Sequence, residues 1–228
     1  MSGQIPDQML ADAHPVGQHD HVDDQLTAGN AAGNVADVRT EMLARRKALP
    51  PDVVERHSAT VVQRIRSLPE VRGLMGDGDQ TMQGRALGAY VGVRGEIDPS
   101  ALLEDPGLRV GLPVTTSGEP LRFVVPDGPL VEGPFGIRQP GVGTDVDPMS
   151  LSVVLVPLVA ADRKGNRIGH GAGFYDRTFA PLATDRPAGP LLIGVCHDFQ
   201  VVSEIEARPW DVPLDLLVTE VGLIRPEA

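Results

Sequence analysis

The residues best suited to chemistry follow an apolar run that ends at Pro157. A polar turn comes next at residues 163–166, and glycines then occupy every second position, at Gly169, Gly171 and Gly173. Glycine lets backbone N–H groups approach a ligand closely, and a glycine-rich turn that opens a helix gathers such donors around a phosphate. The spacing matches neither G-x-G-x-x-G nor G-x-x-x-x-G-K-[ST]. Taken alone, it fits phosphate binding and a tight surface loop equally well.

Three side chains beside these glycines add candidate functions. Arg167 offers a forked guanidinium that matches a phosphate. Asp176 falls in the first turn of a helix expected from about Phe174, where the helix dipole also favours an acid, so a metal-binding role and a purely structural role stay open. Tyr175 fits either the site or the edge of the core.

The elements that must position this segment begin with two helices. Apolar residues at helical spacing predict a first helix from Val35 that ends at Pro50, and a second that ends at Pro69, with Asp52 as its N-cap. The stripe of the first helix is Val35, Val38, Met42 and Leu49; that of the second is Val54, Val61, Ile65 and Leu68. Together they predict a helical hairpin packed against a larger body.

Apolar runs further along the chain predict strands. The runs cover residues 86–93, 108–114, 121–125, 152–156, 191–196 and 214–218. Asp98 and Pro99 predict a short helix over Ser100 to Glu104, and Ser117-Gly118 a hairpin turn. The chain is therefore predicted to be an α/β protein with a mostly parallel or mixed central sheet and helices on both faces. In such sheets ligands bind beyond the carboxyl ends of strands, here the segments after Val93 and Val156.

Residues 1–34 differ in composition from the rest. No Lys or Arg precedes Arg39, and the apolar residues are isolated. Such a stretch cannot bury enough surface to offset its ordering entropy, so it is predicted to be a disordered acidic tail before a single domain over residues 35–228. A weak metal site at His14, His19 and His21 is the alternative to a solvated tail.

Composition excludes several classes of function. The net charge of −11 argues against a duplex nucleic-acid partner, which would require clustered Lys and Arg. No apolar run reaches the length of about 18 residues that marks a membrane span. The lone Cys196 cannot form an intrachain disulfide, and no secretory signal is present, so a cytoplasmic location is expected.

The motifs of the chain resemble those of a known family. Residues 165–169, the alternating glycines and Phe174-Tyr175-Asp176-Arg177 resemble the signature of the 5-formyltetrahydrofolate cyclo-ligase (5,10-methenyltetrahydrofolate synthetase) family. Further segments resemble this family in the same order; they are Arg94–Asp98, Gly133–Pro140, Asp211–Asp215 and Val218–Glu220. The likeness covers most of the chain after the acidic tail.

The resemblance implies an ATP- and Mg²⁺-dependent enzyme that acts as a monomer on small-molecule substrates. ATP would phosphorylate the formyl oxygen of 5-formyltetrahydrofolate, and attack by the folate N10 would then release phosphate and give 5,10-methenyltetrahydrofolate. Because a formamide carbonyl is a poor electrophile, phosphorylation supplies the leaving group that ring closure needs. Catalysis would rest on positioning and charge stabilisation.

The resemblance also assigns roles to residues. Nucleotide contacts are expected at Arg39, Arg167, Ile168, Gly169, His170, Gly171, Ala172, Gly173, Phe174 and Tyr175. Catalytic roles are expected for Arg167, Tyr175 and Asp176, folate contacts for Glu96, Phe135 and Tyr175, and Mg²⁺ binding for Asp176 and Asp211. The open alternatives are a solvated loop acid for Glu96, a core residue for Phe135 and a surface residue for Arg39.

The chain departs from the family pattern at several positions. Val35 replaces a frequent Lys, Ala161 a frequent Phe, Leu158 a Gly and Gln139 a Glu. These changes motivate a second hypothesis, a catalytically weak relative that binds folate or nucleotide as a regulatory module. A third, an unrelated kinase-like or nucleotidyl-transfer enzyme, lacks the expected Lys-bearing phosphate loop.

Overall fold

The structure, a computed structural model, describes residues 34–75, 85–183 and 189–226, without the side chain of Phe135. The tail predicted over residues 1–34 lies outside them except for Asn34, so its disorder stays a prediction. The α-helices of the described part are α1 (Val35–Lys47), α2 (Pro51–Ser67), α3 (Pro69–Arg72) and α4 (Phe174–Thr178). Its strands are β1 (Leu87–Gly88), β2 (Val110–Val114), β3 (Arg122–Pro126), β4 (Leu130–Glu132), β5 (Arg138–Pro140), β6 (Gly143–Val146), β7 (Val153–Pro157), β8 (Ala160–Asp162), β9 (Arg167–Ile168), β10 (Leu191–Val195), β11 (Val201–Val202), β12 (Leu216–Val218) and β13 (Leu223–Ile224).

The first two helices form where they were predicted but pack against different partners. Asn34 caps α1, since its Oδ1 accepts from the N–H of Ala36 at 3.1 Å. The apolar residues of α1 pack on a cluster that includes Ala160 of β8, whereas Val61 and Ile65 of α2 pack on the large sheet. Residues 48–50 connect the two helices, so each lies on its own part of the core.

The N-cap predicted for α2 was wrong. The helix begins at Pro51, Pro50 occupies the N-cap position, and no side chain caps it. Proline suits the first helical position because its φ is preset and it has no N–H that needs an acceptor there. Asp52 instead lies inside the first turn, where its carboxylate accepts from Arg56 Nη1 at 2.5 Å.

A large mixed sheet forms the centre of the described chain. Its strand order is β13-β12-β10-β7-β1-β2-β3-β6. The strands β12, β10, β7, β1 and β2 pair in parallel, whereas the pairs β12–β13, β2–β3 and β3–β6 are antiparallel. Two smaller sheets accompany it, β11-β8-β9 and β4-β5. The predicted α/β class and the Ser117-Gly118 hairpin between β2 and β3 are confirmed.

Alternation along the central strands divides the core into two layers. Val153 and Leu155 of β7 face a cluster covered by α2 and α3, and Val154 and Val156 face a second cluster with Phe179, which follows α4. Successive side chains of a strand point to opposite faces, so a fully apolar strand is buried on both sides. Helices therefore cover both faces, as predicted.

The first predicted strand is much shorter than its apolar run. Only Leu87 and Gly88 belong to β1, although the N–H of Ala89 still donates to the carbonyl of Gly111 at 2.9 Å. The chain then folds back: the N–H of Gly92 donates to Asp98 Oδ1 at 2.9 Å. This loop, beyond the carboxyl end of β1, carries Glu96.

None of the helices described in residues 34–75, 85–183 and 189–226 has the length and apolar character that a membrane crossing requires.

Candidate active site

The glycine-rich turn lies between β9 and α4 and is open on one side. Gly171 and Gly173 have φ values of +101° and +64°, which side-chain-bearing residues rarely adopt. A Cβ atom built on Gly169 or Gly171 would meet nothing within 4 Å. The space that side chains would fill is therefore available to a ligand that approaches the backbone.

The turn also holds unused hydrogen-bond donors. The N–H groups of residues 169–173 donate to no other group of the described chain. Unpaired backbone N–H groups are rare unless water or a ligand accepts from them. Because α4 has only five residues, its dipole contributes little, and these N–H groups are the main attraction for an anion.

Helix α1 fixes the start of this turn. Arg39 Nε donates to the carbonyl of Gly169 at 3.0 Å. The contact joins residues that are far apart in the chain and holds one guanidinium beside the glycines. A positive charge here adds to the field of the backbone donors.

A second basic residue of α1 connects the turn to Glu96. Arg46 Nη1 lies 3.4 Å from Glu96 Oε1, and the two residues are only 2% and 7% exposed. Arg46 Nη2 lies 3.0 Å from Nε2 of His170, which belongs to the glycine-rich turn. Arg46, Glu96 and His170 therefore form one polar cluster across three segments of the chain.

The cluster sets the charge state of its members. Burial, followed by the charges of Arg46, Arg94 and Arg39, lowers the pKa of His170 to about 4. His170 is thus neutral near pH 7, and its Nε2 lone pair accepts from Arg46. The 3.4 Å contact between His170 Nε2 and Glu96 is accordingly no ion pair. Burial raises the pKa of Glu96, and the charge of Arg46 opposes that shift.

An open cleft of about 730 Å³ lies along this cluster. Its polar lining comes from Arg46, Lys47, Arg94 and His170, with Gly95 between them, and its apolar lining comes from Leu43, Leu49, Pro51 and Val54. Basic side chains beside apolar surface suit a ligand that combines an anionic part with a flat ring. Locally gathered cations can bind such an anion although the whole chain carries a charge of −11.

The guanidinium of Arg167, which the sequence predicts to match a phosphate, is held by groups of the protein. Its Nη1 donates to the carbonyl of Val212, and its Nη2 donates to Asp176 Oδ1 at 2.5 Å. Burial lowers the pKa of this guanidinium, and the charges of Asp176 and Asp211 oppose that shift. Both ends of the fork are therefore engaged inside the protein, where Arg167 orients Asp176.

The two candidate metal ligands, Asp176 and Asp211, both lie close enough to Arg167 for their charges to act on its guanidinium. Asp176 Oδ1 also accepts from the N–H of Val212 at 3.3 Å, while its Oδ2 has no partner in the described chain. Asp211 Oδ2 accepts from the N–H of Arg208 at 2.9 Å. Among the described residues, no group of three protein ligands includes either aspartate. One or two carboxylates completed by phosphate oxygens and water is the set that Mg²⁺ prefers, so these residues fit the ion.

Tyr175 presents a buried hydroxyl without a partner. Its Oη is inaccessible to solvent and accepts or donates no hydrogen bond in the described chain. Burial and the charge of Glu96 raise the pKa of this phenol, while Arg167 lowers it. A buried unpaired hydroxyl is unfavourable by about 1–3 kcal/mol, which a polar substrate group could recover.

With this geometry in place, comparison with known proteins identifies the family. The model of the 5-formyltetrahydrofolate cyclo-ligase family matches residues 32–220. The chain belongs to this family.

Individual members of the cyclo-ligase family are similar to this chain over most of their own length. The 5-formyltetrahydrofolate cyclo-ligase of Escherichia coli (strain K12) is 33% identical over 184 residues, which cover 77% of this chain and 94% of the relative. That of Mycolicibacterium smegmatis is 33% identical over 199 residues, covering 80% and 91%. The 5,10-methenyltetrahydrofolate synthetase of Aquifex aeolicus superposes with a TM-score of 0.70 at 28% identity, covering 85% of this chain and 93% of the other.

The structure brings some predicted residues together and leaves others apart. His170 and the residues around Glu96 share one cleft, and Arg39 touches the glycine-rich turn. Arg167, Asp176 and Asp211 form a separate cluster beside the same turn. The backbone of Phe135 lies in a short 3₁₀ helix, and its side chain is outside the described part.

Sequence reasoning missed Arg46, which is central to the cyclo-ligase cleft. It lies between the apolar residues of the predicted α1 stripe, and no ligand contact was predicted for it, for Lys47 or for Arg94. A usable signal existed, because residues 39 and 46 are two helical turns apart and share one face of α1. Only the fold reveals that this face meets Glu96.

The structure shows the surroundings of Val35 and Ala161, two positions at which the chain departs from the family pattern. Val35 is half-buried at the start of α1, packed on the cluster that includes Ile168. Ala161 of β8 is fully buried in the core. Neither position faces the described cleft.

Proposed function

We propose that this protein catalyses the ATP-dependent conversion of 5-formyltetrahydrofolate to 5,10-methenyltetrahydrofolate, with release of ADP and phosphate. The carrying observation is the shared cleft: His170 of the glycine-rich turn and Arg46, the ion-pair partner of Glu96, line the same 730 Å³ space. A nucleotide on the turn and a folate against Glu96 would be neighbours there. Membership of the cyclo-ligase family supports the same reaction.

The chemistry requires the two substrates to meet in one orientation. The formyl oxygen attacks the γ-phosphorus of ATP, the bond to the β-phosphate oxygen breaks, and ADP leaves. N10 of the folate then attacks the formyl carbon and loses its proton, and the C–O bond breaks as phosphate departs. Holding the reacting atoms in line replaces a bimolecular encounter, which lowers the barrier by about 7–11 kcal/mol in favourable cases.

The nucleotide phosphates are assigned to the glycine-rich turn. The unused N–H groups of residues 169–173 would donate to phosphate oxygens, and Arg39 would add charge at the start of the turn. Arg46 and Lys47 in the cleft would neutralise the remaining negative charge. The side chains of His170 and Phe174 and the backbone of Ile168 and Ala172 complete the assigned contacts.

The folate is assigned to Glu96, Phe135 and Tyr175. Glu96 is held by Arg46 and by the N–H of Val93, which donates to its Oε2 at 3.1 Å, so its orientation is fixed before binding. A fixed carboxylate can accept N–H bonds from the pterin ring. The unpaired hydroxyl of Tyr175 would donate to a substrate oxygen. Phe135 would supply an aromatic surface for the ring system.

Magnesium is assigned to Asp176, with Asp211 as a second ligand or as the residue that orders a water ligand. Bound Mg²⁺ would neutralise charge on the phosphates and orient the terminal phosphoryl group. The task of Arg167 is to hold Asp176 in position through its Nη2 contact. Arg167 and Asp176 are therefore both required, one as a positioning residue and one as a ligand.

We also propose a single domain over residues 35–228 that works as a cytoplasmic monomer without a nucleic-acid partner. The acidic balance of −11 disfavours polyanions, and Cys196 is buried. A catalytically weak relative that binds folate or nucleotide is the second candidate, because Val35 leaves one expected cation absent from α1.

The direct test mixes the purified protein with ATP, Mg²⁺ and 5-formyltetrahydrofolate. We expect the near-ultraviolet absorbance of a methenyl-folate to grow in step with ADP release. Folate binding without product would favour the weak relative. ADP release without methenyl-folate would contradict the assignment of the acceptor.

A variant at Asp176 tests the metal assignment within that assay. Asp176→Asn keeps an oxygen that can accept from Arg167 and Val212 but removes the anionic ligand. We expect turnover to fall about a thousandfold, or about 4 kcal/mol in the barrier, with an unchanged circular dichroism spectrum. Near-normal activity would remove Asp176 from the site. The matched control is Asp145→Asn, an exposed aspartate of β6.

A further inference from the structure

Three side chains of metal-binding types meet at the carboxyl ends of two parallel strands, and none of them is among the residues assigned to ATP. Strands β10 and β12 pair in the register Val195 with Val218. His197 and Glu220 each follow these partners by two residues, so the register places them side by side. His57 of α2 completes the group, and the three ligand atoms lie within 4.8 Å of one another.

The tautomer of His197 is fixed by its surroundings. Its Nε2 lies 2.9 Å from the carbonyl oxygen of Gly95, which can only accept, so Nε2 carries the proton. The Nδ1 atom therefore keeps its lone pair, and it lies 3.0 Å from Nδ1 of His57. A histidine ligand of a metal is usually held in this way, with its second nitrogen donating to a carbonyl or carboxylate.

Glu220 is anchored in the same manner. Its Oε2 accepts from the N–H of Asp198 at 3.0 Å, and its backbone carbonyl accepts from Arg64 Nη2 of α2 at 3.1 Å. The other oxygen, Oε1, is left 3.4 Å from Nδ1 of His57. Each of these two residues thus has one atom committed to the protein and one turned towards the others.

The three inward atoms have at most one proton to share when His57 is neutral. A neutral His57 with its proton on Nδ1 can serve either His197 or Glu220 but not both in full. Two atoms that bind one tetrahedral Zn²⁺ at about 2.0–2.1 Å lie about 3.3 Å apart. The observed separations of 3.0 and 3.4 Å bracket that value.

We propose that His57, His197 and Glu220 bind one divalent transition-metal ion, for which zinc is the best chemical fit. Two imidazole nitrogens and one carboxylate oxygen suit zinc and its neighbours cobalt and nickel, whereas Mg²⁺ prefers oxygen ligands only. Three protein ligands leave at least one position for water. The ion would tie α2 to the segments after β10 and β12.

The site would also stiffen the loop that carries Glu96. Metal on Nδ1 of His197 fixes the ring whose Nε2 holds the carbonyl of Gly95, the residue before Glu96. The site itself does not depend on the proposed reaction, and metal binding is measured without substrates.

The test uses the full chain with His14, His19 and His21 replaced by alanine, which removes competing imidazoles. We expect this triple variant to bind one equivalent of Zn²⁺, and its Co²⁺ form to show the visible absorption of a four- or five-coordinate ion. Excess Mg²⁺ should not displace either metal. Adding His57→Ala should weaken Zn²⁺ binding at least about tenfold and abolish the cobalt spectrum.

Two further variants separate ligand loss from damage to the fold. Glu220→Gln keeps an oxygen for the N–H of Asp198 but lowers metal affinity. The control is Glu55→Gln, which changes an exposed acid on α2, the helix that carries His57, and it should leave metal affinity unchanged. Zn²⁺ should raise the melting temperature of the triple variant and not that of the variant with His57→Ala. If the triple variant fails to bind Zn²⁺ at micromolar concentration, or binds it equally well after His57→Ala, the group is a hydrogen-bonded pair beside an acid and the proposal is overturned.

Discussion

Two turns that contain glycine lie on either side of β9, and they are built in opposite ways. In the turn before it, Asp162 is completely buried and accepts four hydrogen bonds, from Lys164 N–H, from both nitrogens of Asn166 and from Ile205 N–H. In the turn after it, the N–H groups of residues 169–173 donate to no group within the part of the chain that the structure describes. The polar groups of the first turn form hydrogen bonds within the protein, whereas the N–H groups of the second turn are available to a ligand.

Glycine has a different meaning in each turn. A Cβ atom on Gly165 would lie 2.5 Å from the carbonyl oxygen of Leu214, so glycine is required there by packing. Around Gly169 and Gly171 the same test finds open space. Glycine frequency alone therefore does not indicate a ligand site; the accessibility of the backbone around it does.

The largest expected effect comes from Asp162. Asp162→Ala removes the acceptor of four N–H donors, one of them in a fully buried hydrogen bond, and should lower the free energy of unfolding by about 3–5 kcal/mol. Urea denaturation measures the loss, and activity per folded molecule should stay unchanged. The control Asp145→Ala removes an exposed ion pair with Arg122 and should change stability by about 0.5 kcal/mol or less. Equal losses in both variants would contradict the closed construction of the first turn.

Gly165 ranks second. Gly165→Ala combines a φ of +87° with a clash against backbone, and we expect the free energy of unfolding to fall by about 2–3 kcal/mol. Gly118→Ala is the matched control, because Gly118 has a φ of +80° but open surroundings. Its loss should be about 1 kcal/mol, from backbone strain alone. If the two glycines prove equally tolerant in thermal melts, packing is not what requires Gly165.

Gly169 should affect function and not stability. Gly169→Ala places a methyl group in the space assigned to phosphate while its φ stays ordinary. We expect stability within about 0.5 kcal/mol of the parent and a fall in kcat/KM for ATP of about tenfold, or 1.4 kcal/mol. Gly222→Ala, equally unhindered but remote from the turn, should change neither quantity. An unaltered ATP response in Gly169→Ala would make the open turn a surface loop.

The smallest effect concerns the protonation of His170. Its pKa of about 4 in the folded state lies below the ordinary value of 6.5, so between these pH values the unfolded chain binds more protons. Stability should therefore decrease as pH falls from 6.5 towards 4, modestly because the side chain is partly exposed. His170→Gln, which keeps an acceptor for Arg46, should flatten this dependence of the urea midpoint. A His170 NMR titration near pH 6.5 would disprove the shift.

Much of the fold was predictable because its central strands are apolar throughout. Buried parallel strands need no alternation, and the runs at residues 152–156 and 191–196 were identified for that reason. The end of β1 was not predictable, since the run over residues 86–93 contains no local signal for the point where the contact of Gly92 with Asp98 ends pairing. The N-cap prediction at Asp52 was wrong because it rested on the residue type alone, whereas the two prolines at residues 50 and 51 determine where α2 begins.

From residue types and spacing alone, the candidate site was predictable only where it is continuous in sequence, and the family resemblance added the distant residues Arg39, Glu96 and Asp211. Spacing alone revealed the glycine-rich turn. The cluster of Arg46, Glu96 and His170 combines three distant segments, and its central cation, Arg46, belongs to a helix in which only Arg39 was expected to contact a ligand. The group of His57, His197 and Glu220 escaped notice for the same reason, because only the register of β10 and β12 brings it together.

The borders of the large sheet have a consequence for how the protein behaves at high concentration. One border, β13, is two residues long and is followed by Arg225, which pairs with Glu70 at 3.1 Å, and by Pro226. The other, β6, carries Asp145, held by Arg122 at 2.6 Å. A strand from another copy would have to displace these charges to extend the ladder, and proline offers it no N–H. At high concentration or during refolding, these features disfavour aggregation through pairing between the sheet edges of different copies.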